Sequence, residues 1–211
     1  QWAGQAHFQL FPQYDIRDTL VGSNSLLWIT SRFGGLMRLD LAPSQFESHT
    51  TYLEGESKHK IGRVYAQSVD KEGILWVGTS NGLLNWDSKS KRFIKQSMFN
   101  ALSEQTIKGI DEDKEGTLWL AGSFGIYTLN KSRTKVTNQN HQVGHLQRKS
   151  FNNLQFDNDE NLWLGTSHDG VIRLSRNGEV LHLAHDPQTP SSLGGNTVID
   201  LFLDNARNMW V

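Results

Sequence analysis

Four short stretches carry the residues best suited to hold a ligand, each four and five places after a tryptophan. They read Arg32-Phe33, Ser80-Asn81, Ser123-Phe124 and Ser167-His168, the last followed by Asp169. Phenylalanine rings such as Phe33 and Phe124 can lie against an apolar ligand face. Arg32, Asn81 and Asp169 can hydrogen-bond its polar groups, and acid–base chemistry would need His168 together with a second titratable group. Other chemistry is poorly served. His141, His145 and His185 sit in or beside irregular polar segments, where a four-residue spacing has no helical meaning, so no metal is expected. "DEDKEG" at 111–116 has the look of a calcium loop, but Gly122 stands where the bidentate glutamate belongs. With no phosphate-binding glycine loop, no Gly-x-Ser-x-Gly elbow and no cysteine nucleophile, neither a cofactor nor a catalytic set is expected.

The elements that must position these residues repeat. "EGILWVGTSNGLLNWD" at 72–87 returns as "EGTLWLAGSFGIYTLN" at 115–130 and "ENLWLGTSHDGVIRLS" at 160–175. Trp28, Trp76, Trp119, Trp163 and Trp210 are separated by 48, 43, 44 and 47 residues, the period of a four-stranded propeller blade. Asp70, Asp113, Asp157 and Asp204 stand six places before the tryptophan, with Gly22 in the first copy. Gly35, Gly82, Gly125 and Gly170 follow it by six or seven. The expected fold is an all-β propeller in which residues 1–211 form one domain or part of one. About four complete blades are flanked by partial ones: "HFQLF" at 7–11 reads as an outer strand and Val211 falls inside a second strand. A larger ring of about seven blades suits these ends better than a closed ring of five.

Within the second copy "VYAQSVD", "ILWVGTS", "LLNWD" and "RFIKQSM" read as four strands joined by the turns "DKEG" and "NG". The aspartate opens the first turn by bonding backbone two residues on, and Gly73 or Gly116 closes it with a positive φ. Glu160 and Arg207 occupy that place in later copies. Either those turns differ, or each carries about 1 kcal/mol of strain. Leu75 and Val77 point to one face of their strand and Trp76 to the other, so the strand is apolar on both sides. Each tryptophan is therefore read as a spacer between blades, with Thr30, Gly78, Ala121 and Gly165 kept small for close packing.

The pattern D-x-x-G-x-LWVGT-x-x-GL-x-x-x-D, with "HDPQTPSSLGGNTVIDLFLDNARNMWV" at 185–211, resembles the two-component regulator propeller repeat. The resemblance runs from about residue 15 to the end, and the Gly-His and Trp-Asp landmarks of WD repeats are missing. It implies a periplasmic sensor domain of a bacterial hybrid histidine kinase or diguanylate cyclase, non-enzymatic in itself. Its implied partners are a small molecule, possible oligosaccharides among them, a downstream signalling domain of the same parent chain, and a second copy in a homodimer. For a saccharide, the aromatic rings suit apolar sugar faces and the polar side chains suit hydroxyls. Lys plus Arg (21) nearly balance Asp plus Glu (22), and no apolar run approaches a membrane span, so neither nucleic acid nor membrane contact is expected of these residues.

Ligands of propellers usually sit at one end of the central channel, beside the turns joining strands two and three and the connections from strand four to the next strand one. Positions in which the copies agree serve the blade, and those that differ are free to serve a ligand. The candidate ligand-binding set is thus Arg32, Phe33, Asn81, Phe124, His168 and Asp169, with Arg63 and Tyr65, and also Lys108 and Asn153, at the channel mouth. Long loops at 54–60, 138–148 and 186–196 are expected over the same end. The alternatives are plain: the two phenylalanines cover gaps between blades, His168 is solvated, and the mouth residues merely line a wet channel. Two other functions stay open, a propeller lyase using His and Glu at the mouth, and a protein-interaction platform without a small ligand.

Overall fold

The computed structural model describes residues 16–21, 26–31, 35–40, 46–96, 102–103, 105–140 and 150–211. They form propeller blades. The first is an antiparallel meander of β1 (Ile16–Val21), β2 (Leu26–Ser31), β3 (Gly35–Asp40) and β4 (Phe46–His49). The second contains β7 (Val64–Val69), β8 (Leu75–Thr79), β9 (Gly82–Asp87) and β10 (Arg92–Ile94), and the third β11 (Ile107–Glu112), β12 (Leu118–Gly122), β13 (Gly125–Leu129) and β14 (Val136–Asn138). The fourth is β15 (Phe151–Phe156), β16 (Leu162–Thr166), β17 (Val171–Leu174) and β18 (Val180–Leu183), and β19 (Phe202–Leu203) pairs with β20 (Met209–Trp210) as the start of a fifth. The described residues include no α-helix, as the turn-rich repeat predicts.

One expectation fails here. Residues 54–60 are not a loop over the channel end, because β5 (Thr51–Glu54) and β6 (Ser57–Lys60) form a hairpin on the outside of the second blade. β5 pairs in parallel with β10, which makes that sheet six-stranded. All four residues of β6 are exposed on a sheet edge, where lysines discourage further pairing. The outer strand expected at 7–11 lies outside the described residues.

Trp28, Trp76, Trp119 and Trp163 work as spacers, always in the same direction. Trp28 packs with Val64, Val77 and Phe93 of the second blade, Trp76 with Ile107, Leu118 and Leu120 of the third, and Trp119 against Phe156 of the fourth. Leu75 and Val77 on the opposite face of β8 join the preceding interface. A buried indole of this size contributes roughly 4–6 kcal/mol of gross apolar burial. The small residue two places on is required by the same contact: a Cβ on Gly78 would meet Ile107 O at 2.7 Å.

The aspartate six places earlier does more than shape its turn. Asp70 Oδ1 accepts from Glu72 N (3.1 Å) and Ile74 N (2.9 Å), while Oδ2 accepts from Trp76 Nε1 at 2.8 Å. Asp113, Asp157 and Asp204 bind Trp119, Trp163 and Trp210 in the same way at 2.8, 2.8 and 2.9 Å. Hydrogen bonds from Asn208 and Trp210 pull the Asp204 carboxyl down to about 2. Burial works against the Asp157 carboxylate, but donors from Trp163, Asn161 and Asp159 together hold it below the usual range. The turn closes alike in every described copy. Gly73 and Gly116 have φ of 80° and 87°, and Glu160 and Arg207 adopt 63° and 68°, so these two carry the strain rather than a different turn.

Neighbouring blades are also stitched at these turns. Lys71 N donates to Glu112 Oε2 (2.7 Å), and Lys114 N donates to Glu160 Oε2 (2.9 Å) one blade further on. Arg133 reaches Asp70 (2.9 Å) and Glu112 (2.8 Å) and lies over the Trp76 ring.

Candidate functional site

The innermost strands share an irregularity that aims side chains at the channel. Each pairs with its neighbour through a register shift near its start, between Ile16 and Asp18, Val64 and Ala66, Ile107 and Gly109, and Phe151 and Asn153. The skipped residues are Arg17, Tyr65, Lys108 and Asn152, and all four line one cavity of about 740 Å³. A bulge leaves its extra residue out of the ladder and re-aims it, which is how four blades present different side chains at equivalent places. Arg63, Tyr65, Lys108 and Asn153, expected at the mouth, all lie on this cavity wall.

The wall mixes aliphatic and polar residues, and several of its polar side chains are mutually bonded. Lys108 Nζ donates to Asn152 Oδ1 (2.9 Å), Asn152 Nδ2 donates to Val198 O (2.9 Å), and Asn153 Nδ2 donates to Asp200 Oδ1. Asp111 accepts from Phe156 N of the next blade at 2.7 Å and from Glu112 N at 2.8 Å. Burial dominates that carboxyl and raises it to about 6; the two N–H donors oppose the rise, and Glu112 and Glu160 add to it. Asp18 is raised too, by burial first, against the Thr19 N–H, with Asp200 adding repulsion and Gln67 easing it. Several of these carboxylates cap free backbone N–H groups of the inner strand edges, a structural duty that a metal-site reading would overlook. Among the described residues no three His, Cys, Asp or Glu side chains gather as a metal site.

The described turn residues of the candidate set, Asn81, Phe124, His168 and Asp169, do not line the cavity themselves; the serines before Asn81 and His168 tie two of those turns to residues that do. Ser80 N donates to Arg63 O (2.8 Å) and Arg63 N donates to Ser80 Oγ (3.2 Å), which seats the Asn81 turn against the start of β7. In the fourth blade Ser167 N donates to Ser150 O (3.0 Å), and Ser167 Oγ donates to Asn152 Oδ1 (3.1 Å). Asn81 and His168 are exposed there. Asp169 N donates to Thr166 Oγ1 (2.7 Å), and its carbonyl oxygen pairs with His182 Nε2. The loop at 186–196 does reach these turns, since Gly170 N donates to Asn196 O at 2.8 Å.

Phe124 is a different matter. It is half-buried, packs edge-on against Tyr127 at 5.2 Å and covers the core between the second and third blades. Asn140, just beyond β14, donates to Phe124 O (2.9 Å), and because the ring packs on the core it is not the exposed platform expected. Arg32, Phe33, His141 and His145, and most of the loop at 138–148, lie outside the described residues. His185 is tied into its loop through Asn196 and Leu193. Arg17, Asp18, Gln67, Asp111, Asn152 and Asp200 were missed in the sequence. Their signal was available as disagreement among the copies eight to eleven places before each tryptophan.

No protein-family model matches the chain. Over 179 residues it is 28% identical to Histidine kinase P4 of Formosa agariphila, covering 78% of this chain and 13% of that protein. Its fold is similar to the extracellular domain assigned to the hybrid two component system BT4673 of B. thetaiotaomicron, with a TM-score of 0.73 and 21% identity. Both matches are consistent with the two-component propeller repeat. That alignment spans 93% of this chain and 26% of the solved one, so the repeats described here correspond to about a quarter of the solved relative and a smaller share of the kinase. Virginiamycin B lyase of Staphylococcus aureus shares the propeller fold at a TM-score of 0.63 and 14% identity, over 93% of this chain and 62% of the lyase.

Proposed function

We propose that this chain is part of an extracytoplasmic sensor propeller of a bacterial two-component receptor, binding a small molecule at the channel and biasing a downstream kinase-type output. The observation that carries the reading is the division of labour among the repeats: the Asp–Trp pair recurs in the second to fifth copies, whereas the cavity-lining positions carry Arg17, Tyr65, Lys108 and Asn152 in turn. The similarity to a histidine kinase and to an extracellular two-component domain supports the signalling context. A saccharide is the ligand class that the repeat resemblance favours, and a mouth rich in amides, hydroxyls and mixed charge suits its hydroxyl groups. Binding can shift the output only if one state of the receptor holds the ligand more tightly, and pairing of two copies is the proposed second state.

The test is thermal unfolding of the full chain against a panel of neutral and acidic oligosaccharides. A ligand that raises Tm should lose its effect in a Tyr65→Phe/Lys108→Ala double variant whose unliganded Tm stays within about 2 °C of the parent. An undiminished response in that variant would remove the channel assignment. The exposed His168 and the shared fold of the lyase keep an enzymatic reading testable: turnover abolished by His168→Ala would favour it over sensing. A protein partner bound by a chain that answers to no small molecule would favour the interaction platform.

A further inference from the structure

Two inner-strand positions depart from the aliphatic residue of their sister blades, Thr19 opposite Ile29 and Gln67 opposite Val77, and of these Thr19 is exposed whereas Gln67 is buried. Gln67 stands opposite Val77 as Ile110 stands opposite Leu120 and Leu154 opposite Leu164, and Leu201 holds the same place nine residues before its tryptophan. Ile110, Leu154 and Leu201 each belong to a core between blades. Gln67 is just as deeply placed, 9% exposed, yet neither Nε2 nor Oε1 has a hydrogen-bond partner among the described residues. Its amide lies close enough to Asp18 to favour that carboxylate's ionisation without reaching it in hydrogen-bond geometry. An unpaired buried amide is destabilising, and a leucine like those of the sister blades would remove the penalty.

The backbone beside it is open as well. In the equivalent position Thr19 N is capped by Asp18 Oδ1 (2.7 Å), Leu154 N by Asn153 Oδ1 (2.6 Å) and Leu201 N by Asp200 Oδ1 (2.9 Å). Before Gln67 stands Ala66, and before Ile110 stands Gly109, neither of which has a side-chain atom to offer, so what sets β7 apart is the Gln67 amide beside its uncapped backbone. The cavity wall at β7 therefore presents a backbone donor, a side-chain donor and a side-chain acceptor together, with the Asp18 carboxylate facing them from β1.

We infer that Gln67 anchors a subsite for a neutral amide group, which deepens the sensor reading by naming where its ligand is held and by what chemistry. An amide supplies what is missing on both sides: its carbonyl accepts from Gln67 Nε2 or N, and its N–H donates to Gln67 Oε1 or Asp18. A carboxylate would offer acceptors alone and add charge beside Asp18 and Asp200. An ammonium would leave the Gln67 donors unmet. Peptide groups and N-acylated amino sugars both carry this chemistry.

The test uses 1H–15N spectra of the labelled full chain. N-methylacetamide should move the Gln67 backbone and side-chain amide signals, and methyl acetate, which lacks the N–H, should not. N-acetylglucosamine against glucose, and a blocked alanine dipeptide, then separate the two sources. Gln67→Leu should abolish the response to the amide probes while raising Tm by roughly 3 °C or more, and Gln67→Met, which keeps the volume, should abolish the response with a smaller gain. Immobile Gln67 signals, equal shifts with the ester, or a Gln67→Leu chain less stable than the parent would each overturn the subsite. An oligosaccharide that still raises the Tm of Gln67→Leu would overturn it too, while leaving the sensor reading in place.

Discussion

The two kinds of turn in each blade differ in what the copies keep. Between the first and second strands of the second to fifth copies the aspartate binds backbone and indole, even where Glu160 and Arg207 must take a left-handed φ to hold the turn. Between the second and third strands, and along the channel edge, the same backbone carries Asn81, Phe124 or His168, and Arg17, Tyr65 or Lys108. A repeat protein separates stability from specificity by position in this way, because every interface between blades must be solved alike while each channel position is free. The two classes should therefore respond differently to substitution.

The largest contrast lies between a spacer and a turn. Trp76, 1% exposed, is sealed by the third blade, whereas Asn81 is exposed. Trp76→Ala should cost about 4 kcal/mol in urea unfolding of the full chain, and Asn81→Ala under about 1 kcal/mol. Equal costs would mean that the differing turn positions hold the blades together as much as the agreeing ones do.

A smaller effect separates the channel carboxylates from those of the turns. The Asp111 carboxyl, held near 6 in the fold, binds its proton more tightly there than in the unfolded chain. Its contribution to stability is therefore complete below about pH 4 and is lost as pH rises through about 6. Asp204, pulled down to about 2, behaves in the opposite sense and loses its contribution as pH falls from about 4 towards 2. Asp111→Asn should remove the first dependence, so that the difference in unfolding free energy between variant and parent grows in the variant's favour by about 2–3 kcal/mol between pH 4 and 6. A pH-independent difference would place Asp111 in water rather than in the wall.

Much of this division could be read from the chain. The tryptophan period announced the blades, and alternation around Leu75, Trp76 and Val77 announced burial on both faces. The spacing of six between aspartate and tryptophan was visible, but the indole bond was not, because it depends on how the hairpin register brings the two side chains together across the turn. The loop expected at 54–60 proved to be the edge of a hairpin, since an exposed edge strand and a loop look alike in composition. Phe124 misled for the opposite reason, since its ring packs against Tyr127 and the core between two blades, contacts that no local pattern reveals. Arg63, Tyr65 and Lys108 were legible as inner-strand residues. Gln67 was not, though it replaces the aliphatic residue found at Ile110, Leu154 and Leu201.

The central claim is that the agreeing residues build the blades and the differing ones at the channel bind the ligand. The most direct test is to map, by 1H–15N chemical shifts, the binding of whichever oligosaccharide raises the Tm of the full chain. The account predicts the largest shifts at Tyr65, Gln67, Lys108 and Asn153, with the Asp70, Asp113 and Asp157 turns unmoved. Shifts concentrated at those aspartate turns or on the β5–β6 hairpin, with a silent channel, would contradict it.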